Sequence, residues 1–79
     1  MFDAETTTEY KGRSFRSTHG SPFDRGAADS YYGRRRDPHY GGVGGNSGPR
    51  VEELTAEELE AYHAGYEWNE QFGGKKDYD

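Results

Sequence analysis

Between residues 11 and 40 the chain interleaves bases with rings. Lys11, Arg13, Arg16, Arg25 and the run Arg34-Arg35-Arg36 alternate with Phe15, Phe23, Tyr31, Tyr32 and Tyr40. Guanidinium and ammonium groups neutralise phosphates, and ring faces stack on unpaired bases, so this combination is what binding of single-stranded RNA requires. The contact candidates are Arg25, Tyr31, Tyr32, Arg34, Arg35, Arg36, His39 and Tyr40. The competing expectation is that Arg34, Arg35 and Arg36 neutralise an acidic helix of the same molecule. The second constellation is an acidic surface made by Glu52, Glu53, Glu57, Glu58, Glu60, Glu67 and Glu70, most of them on that helix. It reads either as a solvated face or as a docking surface for a basic partner, with Glu57, Glu60, Tyr66 and Trp68 as contact candidates. For Trp68 the ordinary role is to cover a small core.

Other groups that could carry chemistry do not assemble into a site. His19, His39 and His63 lack the i,i+4 spacing of a metal-binding helix and read as surface histidines, so no metal or cofactor is expected. The glycine-rich stretch 42–48 follows no strand and has no Lys-Ser/Thr pair, which separates it from a nucleotide-binding loop. Ser30 beside Asp29 is no nucleophile–base arrangement. No catalytic residue is expected, and the protein is not expected to be an enzyme.

The elements that must position these residues have little apolar material to work with. Leu, Ile, Val and Phe make up only eight of the 79 residues, with no Ile; about 10% is well below the level at which disorder becomes a concern. Twelve aromatic residues, seven of them Tyr, pull the other way. The composition argues against a large aliphatic core, a transmembrane span and a cleaved signal peptide. Absence of Cys removes disulfides and Cys-based zinc sites, making a cytoplasmic location the default. The net charge of −5 hides a segregation: residues 1–10 carry −3, residues 11–50 carry +5, and residues 51–79 carry −7. Such segregation speaks to partners.

Two helices are legible. The first begins at Ser21-Pro22-Phe23-Asp24, where Ser is a favoured N-cap, Pro suits the first helical position and Asp completes a capping-box spacing. It is predicted to end at Gly33, with Phe23, Ala27, Ala28, Tyr31 and Tyr32 on one side. The second is predicted from Thr55, with Glu58 closing a capping box and Leu54 and Leu59 as a staple, to Phe72 before Gly73-Gly74. It carries two narrow stripes: Leu59, Tyr62 and Tyr66, and Ala61, Gly65, Trp68 and Phe72. Two stripes imply two contact surfaces, one for the first helix and one for something else, so a homodimer is possible. Gly26, Ala27, Ala61 and Gly65 permit a close helix–helix approach. Residues 10–16 alternate as a short strand does, but a lone strand is unstable. The expected fold is therefore small and all-α. It is a two-helix hairpin, about 22–33 and 55–72, in one domain (21–79), with a flexible arm at 1–20 and a mobile glycine-rich loop at 37–50.

At Ser21-Pro22-Phe23-Asp24-Arg25-Gly26-Ala27-Ala28-Asp29-Ser30-Tyr31-Tyr32-Gly33-Arg34 and Asp37-Pro38-His39, the chain resembles a family of small proteins from tailed phages and prophages. Leu54-Thr55-Ala56-Glu57-Glu58-Leu59 and Ala61-Tyr62-His63-Ala64-Gly65-Tyr66 extend the likeness to about half the chain. The resemblance implies a phage or prophage origin without assigning an activity. Two further stretches are similar to ribosome modulation factor, a family of two short helices. They are Ala64-Gly65-Tyr66 with Gly73-Gly74-Lys75-Lys76, and Gly33-Arg34-Arg35-Arg36 with Pro38-His39-Tyr40. That likeness implies the ribosome as partner. The expected function is a small non-enzymatic binding protein acting on a host macromolecule in the host cytoplasm, RNA or the ribosome first, with no membrane contact. The alternatives are an acidic inhibitor of a host enzyme or defence complex, and a small virion or assembly component ordered only in a complex.

Overall fold

The structure, a computed structural model, describes residues 7–42 and 48–74. Its first surprise is at the N-terminal side. Thr7–Tyr10 (β1) and Arg13–Arg16 (β2) pair antiparallel, Thr7 opposite Arg16 and Tyr10 opposite Arg13. The all-α expectation is thus overturned, and residues 7–16 of the supposed flexible arm are a β-hairpin. Lys11 and Gly12 form its two-residue loop, both with positive φ (53° and 78°), which is the signature of a type I′ turn. An isolated hairpin is marginal in water. This one is held by what it covers: Tyr10 and Phe15 lie on the same face and are buried against the helices. Gly12 has open space around it, so only its backbone conformation resists a side chain. Gly12→Ala is expected to cost about 1 kcal/mol, a fall of roughly 4–8 °C in Tm, readable in a thermal melt.

The two helices appear where their caps place them. α1 spans Pro22–Tyr31 and α2 spans Ala56–Phe72. The Ser21 Oγ accepts from the Asp24 N–H (3.4 Å) and donates to the Arg16 carbonyl (3.1 Å), so one buried hydroxyl ties the end of the hairpin to the start of α1. Asp24 does not return the bond to Ser21: its shorter side chain accepts from the Gly20 N–H at 2.9 Å instead. At the other end Gly33 (φ 72°) donates to Ser30 O and Arg34 donates to Asp29 O, a complete Schellman cap. In α2 both arms of the Thr55/Glu58 capping box are present. Lys75 and Lys76, which follow α2 in the sequence, lie outside the described residues.

α1 and α2 pack through glycine. A Cβ on Gly26 would lie 2.0 Å from the Tyr62 carbonyl oxygen, and one on Gly65 would lie 2.0 Å from the Phe23 carbonyl oxygen. Each helix therefore accepts the backbone of the other. The buried face of α1 is consequently Phe23, Gly26, Asp29 and Ser30, rather than the stripe ending in Tyr31 and Tyr32. Glycine carries no hydropathy signal, yet here it decides which side turns inward. Phe23 is 2% exposed, stacks on Phe15 (5.5 Å between centroids) and meets Trp68 (5.9 Å). Burial of such a side chain is worth roughly 1.5–3 kcal/mol. The two stripes of α2 do not divide between two partners: Tyr62 from one and Gly65 and Trp68 from the other all meet α1, and the chain's own hairpin packs beside Ala64, which lies in neither stripe.

The connection between the helices is pinned at both described ends. Tyr40 and Val51 exchange backbone hydrogen bonds (3.0 and 2.9 Å), Gly41 donates to Gly20 O (2.7 Å), and Gly42 donates to Gly48 O (2.8 Å). Where a mobile loop is expected, the backbone is hydrogen-bonded at residues 40–42 and 48; residues 43–47 lie outside the described residues. Among the described residues no helix is long and apolar enough to cross a membrane.

Candidate functional site

The Schellman cap of α1 sets the geometry of the site. It leaves Tyr31 and Tyr32 on the surface, each 39% exposed and meeting edge to face at 5.0 Å. The cap then turns the backbone so that residues 34–39 run as a strap over α2. The strap is fastened to α2 at two points, Tyr66 Oη donating to Arg34 O (2.6 Å) and Asp37 N–H donating to Tyr62 Oη (2.8 Å), and is braced within itself by His39 Nδ1 donating to Asp37 O (2.6 Å). A carbonyl can only accept, so Nδ1 of His39 carries the proton.

The three consecutive arginines part company on this strap. Arg34 places its guanidinium 4.9 Å from the Tyr32 ring centre and 3.4 Å from Asp29 Oδ1. Arg36 turns inward: it lies 4.6 Å from the Tyr66 ring centre, donates to His63 Nδ1 (3.0 Å) and sits 3.5 Å from Glu67 Oε2. Neutralisation of the acidic helix thus holds for Arg36 alone. Arg34 pairs with α1, and the exposed Arg35 has no side-chain partner among the described residues.

Beneath the strap lies a polar cluster. Asp29 is 3% exposed and Tyr62 is fully buried. Tyr62 Oη donates to Asp29 Oδ2. Burial first, and the Asp29 carboxylate second, push the Tyr62 pKa well above the usual tyrosine value. Arg50 closes the far side, donating to Asp37 Oδ2 and Glu52 Oε2 at 2.7 Å each. The hydrogen bond to Glu52, then that to Asp37, raises its pKa above the ordinary arginine value. A pocket of about 410 Å³ remains between these groups, lined by Asp29, Arg34, Arg35, Asp37, His39 and Arg50.

The remaining candidates are placed as follows. Arg25 is an unsuitable contact: its guanidinium is bonded to Asp24 (2.8 Å) and its side chain is only 14% exposed. His39 is buried at 6% and is a structural residue of the strap, which corrects its reading as a surface histidine. Tyr40 is half-buried in the bridge to Val51. On α2, Glu57 is exposed, whereas Glu60 pairs with Arg13. That bond raises the Arg13 pKa. Tyr66 is held under Arg36, and Trp68 packs on the core. Four residues of the site escaped sequence reasoning: Asp29, Asp37, Arg50 and Tyr62. The only local signal was that Asp29 lies three residues after Gly26 and six after Phe23, on the face that turns inward.

Among the described residues no group of three His, Asp or Glu side chains is placed to hold a metal ion. Ser30 is fully buried, with its hydroxyl donating to Glu70 (2.7 Å) and accepting from Asn69 (3.0 Å). What the arrangement offers chemically is recognition of an anion beside an aromatic face. Comparison of the chain with protein-family models, with curated proteins and with solved structures gave no match in any of the three.

Proposed function

We propose that this is a small non-enzymatic RNA-binding protein, phage-related, acting on host RNA or the ribosome in the host cytoplasm. The observation that carries the reading is the edge formed by Tyr31, Tyr32, Arg34 and Arg35. Two rings are on the surface, one of them with a guanidinium over it, and the next arginine has no side-chain partner among the described residues. Stacking surface and unspent positive charge are what an unpaired strand requires. Docking through the acidic helix has less support, because Tyr66 and Trp68 are engaged inside the molecule.

The test is binding of a fluorescently labelled single-stranded oligoribonucleotide, followed by anisotropy across a salt series. Arg35→Ala touches no described side-chain partner, so its effect on affinity is free of folding effects. Together with Arg34→Ala it is expected to weaken binding at low salt and to lower the salt slope by about 0.7 for each phosphate no longer neutralised. Tyr32→Ala should cost about 1–3 kcal/mol of affinity. Glu57→Lys with Glu60→Lys should leave binding intact or strengthen it. Unchanged affinity in the double arginine variant would overturn the proposal, as would loss of binding in the glutamate variant alone.

A further inference from the structure

The geometry points to the pocket under the strap as a subsite for a terminal phosphate, so that the protein holds a 5′-phosphorylated RNA end; this rests on the RNA reading above. Arg34 belongs to both places: its guanidinium lies over Tyr32 on the outer edge and lines the pocket on the inner side. A nucleotide stacked at the edge therefore has its phosphate within the pocket's neighbourhood.

Charge and donors match a phosphate. Three arginines and two aspartates line the pocket, and Glu52 just outside it pairs with Arg50, so Arg35 is the one lining arginine with no carboxylate opposite it among the described residues. The carboxylates are already engaged: Asp29 accepts from Tyr62 and Arg34, and Asp37 accepts from Arg50. They orient two of the guanidinium groups without saturating them. Arg34 commits only Nη1, Arg50 commits Nε and Nη2, and Arg35 commits nothing among the described residues. Each guanidinium has five N–H donors in a fork that fits phosphate oxygens.

The floor explains why the phosphate is a terminal one. Asp29 and His39 are 3% and 6% exposed, and Tyr62 behind them is fully buried. A group that reaches this closed floor ends there, as a terminal phosphate does. A monoester also carries more negative charge than a diester, which rewards Arg35, the lining arginine that no carboxylate neutralises among the described residues.

The experiment compares one short single-stranded RNA carrying a 5′-phosphate with the same RNA carrying a 5′-hydroxyl, both labelled at the 3′ end. The wild-type protein is expected to bind the phosphorylated form about tenfold more tightly. In Arg50→Ala the ratio is expected to fall toward one, with circular dichroism confirming the fold, and Arg50→Lys should restore part of it. Equal affinity of the wild type for both RNAs overturns the subsite and leaves the RNA reading standing, as does a preference that survives Arg50→Ala. Failure to bind either RNA overturns the RNA reading. The subsite is then decided by titrating inorganic phosphate against the arginine Nε–H signals in NMR. Shifts at Arg35 and Arg50 support it, and their absence overturns it.

Discussion

Replacing Gly65 with alanine is expected to cost this protein a large part of its stability, and Gly26→Ala should do nearly the same. Helix propensity alone argues the opposite, since Gly→Ala inside a helix gains about 1 kcal/mol. The competing effect is steric and larger. A Cβ on Gly65 would stand 2.0 Å from the carbonyl oxygen of Phe23, 2.8 Å from its carbonyl carbon and 3.0 Å from its Cα. These are backbone atoms, which cannot rotate away as a side chain would. The helices must separate, and separation loosens Phe23 and strains the hydrogen bonds of Tyr62. Overpacking of a tight core costs about 1–3 kcal/mol or more. A domain of 79 residues has roughly 4–12 kcal/mol in all, and a core this thin belongs near the bottom of that range. Urea titration followed by circular dichroism checks it. Gly74→Ala, with nothing within 4 Å and no positive φ, serves as the silent control. A Gly65→Ala protein more stable than wild type would mean that the helices do not meet at these glycines.

Tyr62→Phe is expected to be the second large effect, about 3 kcal/mol at neutral pH. The hydroxyl donates to the buried Asp29 carboxylate and accepts from the Asp37 N–H. A hydrogen bond to a charged group is worth about 1.5–3 kcal/mol, and a buried group left without its partner adds about 1–3 kcal/mol, partly relieved by water entering from the pocket. The same residue predicts a pH dependence. Its pKa in the fold is raised above the ordinary value of 10.0, by burial first and by Asp29 second. The folded protein therefore holds this proton more tightly than the unfolded chain. Its contribution is complete below pH 10 and is lost as pH rises through the folded value, with stability falling along the way. Wild type should lose stability on the alkaline side of pH 10 more steeply than Tyr62→Phe, which has no proton there to lose. Parallel alkaline slopes in urea titrations of the two proteins would show that Tyr62 is not protected in the fold.

Legibility in the sequence followed the range of the forces. The caps at Ser21 and at Thr55 with Glu58 act within one turn, so both helices could be read where they occur. The hairpin could not, although Lys11-Gly12 between Tyr10 and Arg13 is a turn between alternating residues. Its stability comes from Tyr10 and Phe15 resting on Phe23 and Ala64, and those contacts exist only once the helices are in place. The tyrosines at 31 and 32 looked like part of the buried stripe. Gly26 turned them outward by offering α2 a closer approach than any side chain permits. The site divides the same way. The run of arginines was visible, but its three members look alike in sequence. Their sorting depends on whether Asp29, nothing, or Glu67 lies opposite each of them.

By itself, the sequence determined the two capped helices, the small residues at which they could meet, and a basic-aromatic segment between acidic ends. All of these follow from neighbours along the chain and from composition. Only the tertiary structure decided that the N-terminal strands form a lid on the core, that His39 and Asp29 are buried beside Tyr62, and that Arg50 closes a pocket with Arg34 and Arg35. The physical reason is that burial and charge pairing depend on distance in space. Residues 29, 37, 50 and 62 become neighbours only when two glycines let the helices touch and the strap is drawn across them.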